Sequence, residues 1–267
     1  MDPSEKYHQE LGHDEAYVIK QTKVLRKAVD ASANTGHPRL NDLSTLACQI
    51  FSFARSTVLA SRTWSPFEAY VLSRAILDVC INYCYMMVCD QDEYDRFVDF
   101  SKRNVIRALE TRAKAYEAIG KSINLPHLRA PGPIKEVFLK FASPKKAVDL
   151  TRWETTKSDK MKKKLEVIAS RVKGFNTALF ESARLFIYED ASEIAHGTLY
   201  GSGLCMGIFW GIKDLDSAIR HAFGSIKLLY LIIGALINEV LLVIHSLHPI
   251  QDFIEESKNN FDALMKA

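Results

Sequence analysis

Apolar residues recur every three or four positions along most of the chain, the spacing that places side chains on one face of an α-helix. Residues 13–33 and 42–62 each show one apolar face with polar residues opposite. Between them, residues 34–38 read Asn-Thr-Gly-His-Pro, a combination that stops helices. These patterns predict two amphipathic helices at the start of the chain.

A third segment predicts a helix that is buried on nearly all sides. Ser65, Pro66 and Glu68 form a capping box with proline at the first helical position. From Ala69 to Val88, 16 of 20 residues are hydrophobic. A helix with so little polar surface is expected at the centre of a bundle.

Further helical patterns cover residues 90–119, 174–196 and 214–245, and a short exposed helix is expected after Pro249. The chain has only 12 glycines and 8 prolines in 267 residues, too few for the frequent turns of a sandwich or barrel. We therefore predict an all-α fold, a single helical bundle of about six to eight helices in one domain spanning residues 1–267.

The middle of the chain departs from this pattern. Residues 124–144 are rich in proline, with a short helical pattern at 134–141. Residues 145–173 then carry ten Lys or Arg and four Asp or Glu, a local charge of +6 in a chain whose net charge is +3. We predict that residues 124–173 form a Pro-rich and basic insertion or a mobile segment.

Composition and hydropathy also restrict the location of the protein. The first ten residues are polar and lack the apolar core of a signal peptide. The five cysteines include no CxxC pair, so they predict buried reduced thiols, no zinc site and a cytoplasmic location. Residues 228–244 are strongly apolar, but Asn238 and Glu239 interrupt them, and a carboxylate in mid-span is costly in lipid. We expect a buried core helix there, no membrane span, and no metal or other cofactor.

Polar residues form a stripe along the otherwise apolar third helix. Arg74, Asp78 and Asn82 are spaced by four, so they lie on one side of that helix. Arg74 and Asp78 can pair within the helix. The stripe is either a solvent-facing or structural ion pair, or an inward-facing site whose charges need partners. The sequence leaves both alternatives open.

Tyr188, Ser192 and His196 form a second stripe, beside the apolar face of the predicted helix 174–196. A histidine in the last helical turn, followed by Gly197, is typical of a C-terminal cap. The alternative is a general base, because histidine titrates near neutral pH. The candidate catalytic residues are Arg74, Asp78, Tyr188, Ser192 and His196.

These two stripes carry a family resemblance. The segments YVLSRAILDVCINYCYM and YDRFVDFSKRN, and later YEDASEIAHGT, resemble the uncharacterised bacterial family DUF5677 between residues 70 and 200. Family members usually carry Glu at the position of Asp78, so the carboxylate here reaches less far. The resemblance implies an all-helical fold, no established activity, and matching positions at Arg74, Asp78, Tyr188, Ser192, His196 and Gly197.

A more distant resemblance is to the HEPN helical domains, many of which are metal-independent ribonucleases. In those domains a His acts on the ribose hydroxyl, and an Arg a few residues away on the same helix acts on the phosphate. Here Glu189, Asp190 and Ala191 occupy the places where that Arg would lie, so the motif is broken. Arg74 or Arg184 would have to supply the cation from elsewhere.

Two other chemistries fit the sequence less well. Ser192, His196 and Asp78 are the residue types of a hydrolase triad, but the serine lies inside a helix without a nucleophile elbow. Glu193 and His196 have the spacing of a di-iron ligand pair. The similar pair at residues 10 and 13 precedes the first predicted helix, so we do not expect a di-iron site.

The basic stretch predicts RNA or another nucleic acid as a partner, because cations next to an aromatic ring can grip single strands. The alternative is a solvated helix face. Two hypotheses follow. One is a HEPN-like, RNA-directed protein of bacterial defence or stress, with His196 as base and Arg74 on the phosphate. The other is a non-catalytic helical module that forms a homodimer or binds a partner. The candidate nucleic-acid-binding residues are Arg152, Trp153, Lys160, Lys162, Lys163 and Lys164.

Overall fold

The computed structural model describes residues 3–33, 35–62, 66–98, 115, 118, 157–204 and 207–266, without the side chains of 3–9, 157–160, 202 and 204. Every regular element in these residues is helical and none is a strand, which confirms the predicted all-α fold. The helices are α1 (Pro3–Ala33), α2 (Pro38–Asp42), α3 (Ser44–Arg62), α4 (Pro66–Val88), α5 (Lys157–Arg171), α6 (Thr177–Ala183), α7 (Glu189–Ala195), α8 (Leu199–Leu204), α9 (Leu215–Leu247) and α10 (Gln251–Met265). A π-helical turn (Arg184–Tyr188) joins α6 to α7, and a 3₁₀ turn (Ile208–Trp210) precedes α9.

The chain divides into two compact units: residues 1–88 with 160–267, and residues 89–159. In the second unit residues 91–98 are helical, and the Asp90 carboxylate caps them by accepting the Glu93 N–H at 2.8 Å. The Pro-rich part of the predicted insertion, the predicted short helix at 134–141 and most of the predicted helix beyond residue 98 lie outside the described residues.

The two most apolar helices, α4 and α9, form the centre of the first unit. α4 packs on α3 and α9, and α1 packs on α3, α9 and α10. α4 begins at Pro66, as the capping box predicts, and residues on nearly every side of it are buried. α9 begins after Asp214, whose carboxylate accepts the Ser217 N–H at 2.8 Å. The predicted central helix at α4 and the predicted buried core helix within α9 are both confirmed.

The packing of α1 on α9 is close. At Gly234 of α9, an added Cβ would collide with the ring of Tyr17 on α1, so the glycine is what allows the two helices to approach. Tyr17 is itself held in place, because the Gln21 side chain donates to its hydroxyl at 3.3 Å and to the Ser257 carbonyl of α10 at 3.1 Å. Three helices therefore meet around one aromatic ring.

Charged side chains also tie α1 to its neighbours. Arg62 of α3 donates to the buried Glu15 carboxylate, with Nη2 at 2.7 Å. Lys227 Nζ of α9 lies 3.7 Å from the carboxylate of the buried Asp14. Desolvation raises the pKa of Asp14, and the charge of Lys227 only partly offsets it. Between these pairs the Tyr230 hydroxyl contacts Ser61 Oγ.

The structure differs from the sequence-based boundaries in three places. α1 begins at Pro3, ten residues before the predicted start, and Leu11 in the added part is buried. The short helix α2 begins at Pro38, the last residue of the stop signal, and lies between α1 and α3. The predicted helix 174–196 begins later and is interrupted by the π-helical turn, since periodicity alone does not reveal an inserted residue.

Two described helices are long and apolar enough to cross a membrane by length and composition. They are α4 and α9, with mean hydropathies of 1.4 and 2.2 over their most apolar stretches. More than half of each stretch is buried inside the protein, at 56% and 67%, and buried core helices of soluble proteins meet the same test. The absence of a membrane span therefore stays a prediction.

Candidate functional site

The first polar stripe lies at the edge of the central helix α4, where it emerges from the core. Arg74 and Asn82 are half-buried, and Asp78 between them is exposed. Their neighbours Ser73, Ile76 and Leu77 are buried. The stripe is therefore open to solvent along one side and supported by the core along the other.

Arg74 reaches across to the second stripe. Its guanidinium carbon lies 4.2 Å from the centre of the Tyr188 ring, a cation–π contact. Tyr188 is the last residue of the π-helical turn, which packs on α4 together with α7. One extra residue in a helix rotates every later side chain by about 100°. The π-helical turn thus sets where Tyr188 and the residues after it point, and such turns are frequent at functional sites.

The Asp78 carboxyl lies close to two cations. Although Asp78 is exposed, the protein atoms beside it disfavour the charged carboxylate and raise its pKa. The positive charges of Arg74 and Lys164 act in the opposite direction without cancelling that effect. In the described part of the chain no ion pair joins Arg74 to Asp78, and the guanidinium stacks on Tyr188 instead.

Lys164 connects the basic stretch to the stripe on α4. Its Nζ donates to the side-chain oxygen of Asn82 at 2.7 Å and lies 5.7 Å from the centre of the Tyr85 ring. Lys162 and Lys163, on the same helix α5, are exposed. Arg152, Trp153 and the Lys160 side chain lie outside the described residues. The part of the basic stretch that is described therefore continues directly into the polar stripe.

The second stripe runs antiparallel to the first. The N–H of Asn176 donates to the buried Glu239 carboxylate at 2.9 Å. Glu239 lies near Cys84, whose pKa is raised mainly by burial and further by the Cys80 thiol and the Glu239 charge. Asn176 thus lies level with the end of α4, and Tyr188 lies level with Arg74. The chain between them runs against the direction of α4.

This direction takes Ser192 and His196 away from Asp78. Asp78 lies four residues beyond Arg74 in one direction, and His196 lies eight residues beyond Tyr188 in the other. At 1.5 Å per residue, Asp78 and His196 are about 18 Å apart along the helix axes. Arg74, Asp78 and Tyr188 therefore form one cluster, and Ser192 and His196 extend from it along α7.

His196 is exposed and follows the last residue of α7. Gly197 has φ 64°, its N–H donates to Ile194 O at 3.0 Å, and the Thr198 N–H donates to Glu193 O at 3.2 Å. This is a Schellman C-cap, so the glycine after the histidine has a clear structural role. No hydrogen bond joins the His196 side chain to another described residue, which leaves its imidazole accessible.

Comparison with known proteins places the chain in a family. The family of unknown function DUF5677 matches residues 43–204, more than half of the chain. The protein belongs to DUF5677. No curated protein and no solved structure matches the chain. The predicted resemblance is confirmed, and the match extends beyond residues 70–200 at both ends. No comparison links the chain to HEPN domains.

The DUF5677 match encloses both stripes and α5, but not α1 or α9, which complete the core around them. Every candidate catalytic residue lies inside the matched segment. The matched segment therefore contains the site, and outside it α9 packs on α4 while α1 packs on α3 and α9.

The described residues form neither a hydrolase triad nor a metal site. A hydrolase triad needs its acid and its histidine in contact, and Asp78 and His196 are too far apart for that. Among the residues that the structure describes, no group of three or more His, Cys, Asp or Glu side chains could hold a metal ion. Glu193, one of the two residues with di-iron spacing, accepts the Thr198 hydroxyl at 2.9 Å.

Asn82 and Tyr85 also border the site, although neither is among the candidate catalytic or nucleic-acid-binding residues predicted from the sequence. Asn82 belongs to the predicted stripe, but its partner Lys164 is 82 positions away and no local pattern connects them. Tyr85 lies three positions after Asn82, on the neighbouring turn of α4, so helical spacing could have suggested it. Together they bring an amide and an aromatic ring next to the Lys164 ammonium group.

Proposed function

We propose that this DUF5677 protein is an RNA-directed cytoplasmic protein that binds single-stranded RNA on the surface formed by α4, α5 and the π-helical turn. The observation that carries the proposal is the hydrogen bond from Lys164 to Asn82. It makes the basic stretch and the polar stripe, two separate features of the sequence, parts of one surface.

The residue types on this surface suit a nucleic-acid strand. Arg74 presents a planar cation that stacks on Tyr188, and arginine held in this way binds phosphate with little loss of side-chain freedom. The exposed Lys162 and Lys163 extend the positive charge along α5. Tyr188 and Tyr85 are half-buried rings beside cations, the combination on which single-stranded bases stack.

Within this proposal, binding is better supported than cleavage. A ribonuclease of the HEPN type would use His196 as base, Arg74 on the phosphate, and Tyr188, Ser192 and Asp78 to orient them. A base must be within hydrogen-bond reach of the hydroxyl next to the phosphate it helps to cleave. His196 lies about 12 Å along the helix axis from the level of Arg74, so the two would contact different nucleotides of one strand.

RNA binding is tested by fluorescence anisotropy with a labelled single-stranded RNA at several salt concentrations. For Arg74→Gln and Lys164→Gln we expect about fivefold weaker binding at 0.1 M salt, and a salt slope smaller by about 0.7 for each lost phosphate contact. Lys258→Gln, which changes an exposed lysine on α10, is the matched control. Unchanged binding by both site variants, or an equal loss with the control, would contradict the proposal.

Cleavage is tested separately with an end-labelled RNA. If the protein is a nuclease, His196→Ala and Arg74→Ala each abolish cleavage while both variants remain folded. Cleavage that persists in both variants excludes this mechanism. The assay also separates binding from catalysis, since His196→Ala leaves the cations of the proposed RNA surface in place.

A second candidate is the non-catalytic module in which the same residues fix the register of the bundle. It is favoured by the contact of Arg74 with Tyr188, which joins α4 to the π-helical turn, and by the C-cap around His196. In this case Tyr188→Leu and Arg74→Gln lower the free energy of unfolding by about 1 kcal/mol and leave RNA affinity unchanged.

A further inference from the structure

A surface of large apolar side chains lies between α7 and the start of α9. Its most exposed member is Leu199, whose accessible fraction is 92%. Single exposed apolar residues are ordinary on a protein, but six within 17 positions of the chain are not. The members of this surface, which we call the 199–215 surface, are Leu199, Tyr200, Ile208, Phe209, Trp210 and Leu215.

The 199–215 surface is held in shape by close contacts. The Tyr200 and Phe209 rings lie 4.9 Å apart, centre to centre. At Gly201 an added Cβ would come within 2.5 Å of the backbone of Glu193, so α8 lies directly on α7. Gly207, at φ 72°, allows the chain to enter the 3₁₀ turn, in which Ile208, Phe209 and Trp210 are each more than half exposed. The apolar side chains are thus displayed by a defined backbone.

The size of this surface fits a protein–protein contact. The three aromatic members would each expose about 150–250 Å² if fully accessible and the three aliphatic members somewhat less, and all six are about half exposed or more. Together they present about 600–800 Å² of apolar area. The largest apolar patch on a typical monomer is about 300–600 Å², and a stable interface buries about 800 Å² on each partner.

The charges at the edge of the 199–215 surface indicate which partner fits. Lys213, Asp214, Asp216 and Arg220 sum to zero, and Arg220 pairs with Asp216 at 3.1 Å. An anionic membrane surface or a nucleic acid would be attracted by a net positive rim, which this surface lacks. A rim of zero net charge around an apolar centre does not repel an identical surface, which a two-fold contact between identical chains requires.

We propose that the partner is a second copy of this chain, and that the 199–215 surfaces of two copies pack on each other across a two-fold axis. Each copy then buries its own apolar side chains against the same set of its partner. The aromatic content suits the centre of such an interface, where Tyr, Trp and Phe are enriched. The dimer does not depend on the proposed RNA binding, because the two surfaces share no residue.

The test is sedimentation velocity of the full chain over a range of concentrations. We expect the wild-type protein to sediment at twice the chain mass of 30.2 kDa. Leu199→Glu weakens dimerisation at least tenfold and keeps the fold, because glutamate is favourable in the first turn of α8. Ile208→Glu, in the 3₁₀ turn, provides a second variant. Leu59→Glu, which changes a leucine on α3 with 59% exposure, is the matched control and stays dimeric.

Several results would overturn the dimer. One is a wild-type protein that is monomeric up to its highest soluble concentration. Another is equal dissociation of Leu59→Glu and Leu199→Glu, which would show that any added charge disrupts the contact. A third is a monomer that floats with lipid vesicles in a Leu199-dependent manner, which would assign the surface to a membrane. Arg74→Gln remains dimeric if the proposal is right, whatever its effect on RNA affinity.

Discussion

Replacing Gly234 by alanine is expected to destabilise the protein, although alanine is the better helix former. An added Cβ at this position would overlap the ring of Tyr17, including its hydroxyl end. The ring cannot move away easily. It is almost fully buried, its hydroxyl bonds to Gln21 at 3.3 Å, and its edge lies against Phe261 at 6.2 Å between centres.

The size of the effect can be worked from two opposing terms. Overpacking a well-filled contact costs about 1–3 kcal/mol, and overlap with several ring atoms places this case at the upper end. Alanine in a helix interior returns about 1 kcal/mol. We expect a net loss of about 2 kcal/mol for Gly234→Ala. Gly224, on the same helix α9, has no atom within 4 Å of an added Cβ, so Gly224→Ala gains about 1 kcal/mol.

The assay is urea unfolding of both variants, followed by circular dichroism. Both variants gain the same helix propensity, so the difference between their free energies of unfolding measures the collision with Tyr17 alone. We expect this difference to be about 3 kcal/mol. Adding Tyr17→Leu to Gly234→Ala restores space and recovers part of the loss. Equal stabilisation by both glycine substitutions would show that α1 does not pack closely enough on α9 for a Cβ at position 234 to collide with Tyr17.

Three further predictions test other parts of the first unit. Burial raises the pKa of Glu239 above its ordinary value of 4.5, so folding disfavours the charged form. Glu239→Gln therefore stabilises the protein at pH 7, and urea titrations should show that gain shrinking as the pH falls through the raised pKa and absent below 4.5. Asn176→Ala removes the cap on the Leu179 N–H and lowers the free energy of unfolding by about 1 kcal/mol, and Asn176→Ser retains most of it. Mass spectrometry after iodoacetamide treatment should find native Cys48 alkylated and Cys80 unmodified until the protein is unfolded, because burial raises the pKa of Cys80; modification of native Cys80 at the rate of Cys48 would contradict the packing of α4.

The helices could largely be predicted from the sequence because their signals are local. The capping box before α4 and Asp214 before α9 mark helix starts within a few residues, and apolar spacing marks the buried faces. The same local signals placed Arg74 and Asp78 on one side of a buried helix. They could not show what faces that side, since the answer depends on how α5 and the π-helical turn pack on α4.

The π-helical turn shows why the composition of the site was harder to predict than the fold. Regular spacing by four in Tyr188, Ser192 and His196 predicts one stripe, and these residues do follow one another from the end of the π-helical turn through α7 to its C-cap. Their relation to Arg74 and Asp78, however, is set by the register after residues 184–188 and by the antiparallel direction of the chain. The spacing of apolar and polar residues along the sequence reveals neither this register nor this direction.

The shorter carboxylate at position 78 fits this arrangement. At the spacing of Arg74 and Asp78, a glutamate would extend one methylene further toward the guanidinium and compete with Tyr188 for it. With aspartate, Arg74 stacks on Tyr188 of the π-helical turn, and the Asp78 carboxyl lies partly desolvated near Lys164. The Arg74 guanidinium is therefore held between two helices rather than along one. With one face on the Tyr188 ring, its N–H groups can still bind the phosphate of the proposed RNA strand.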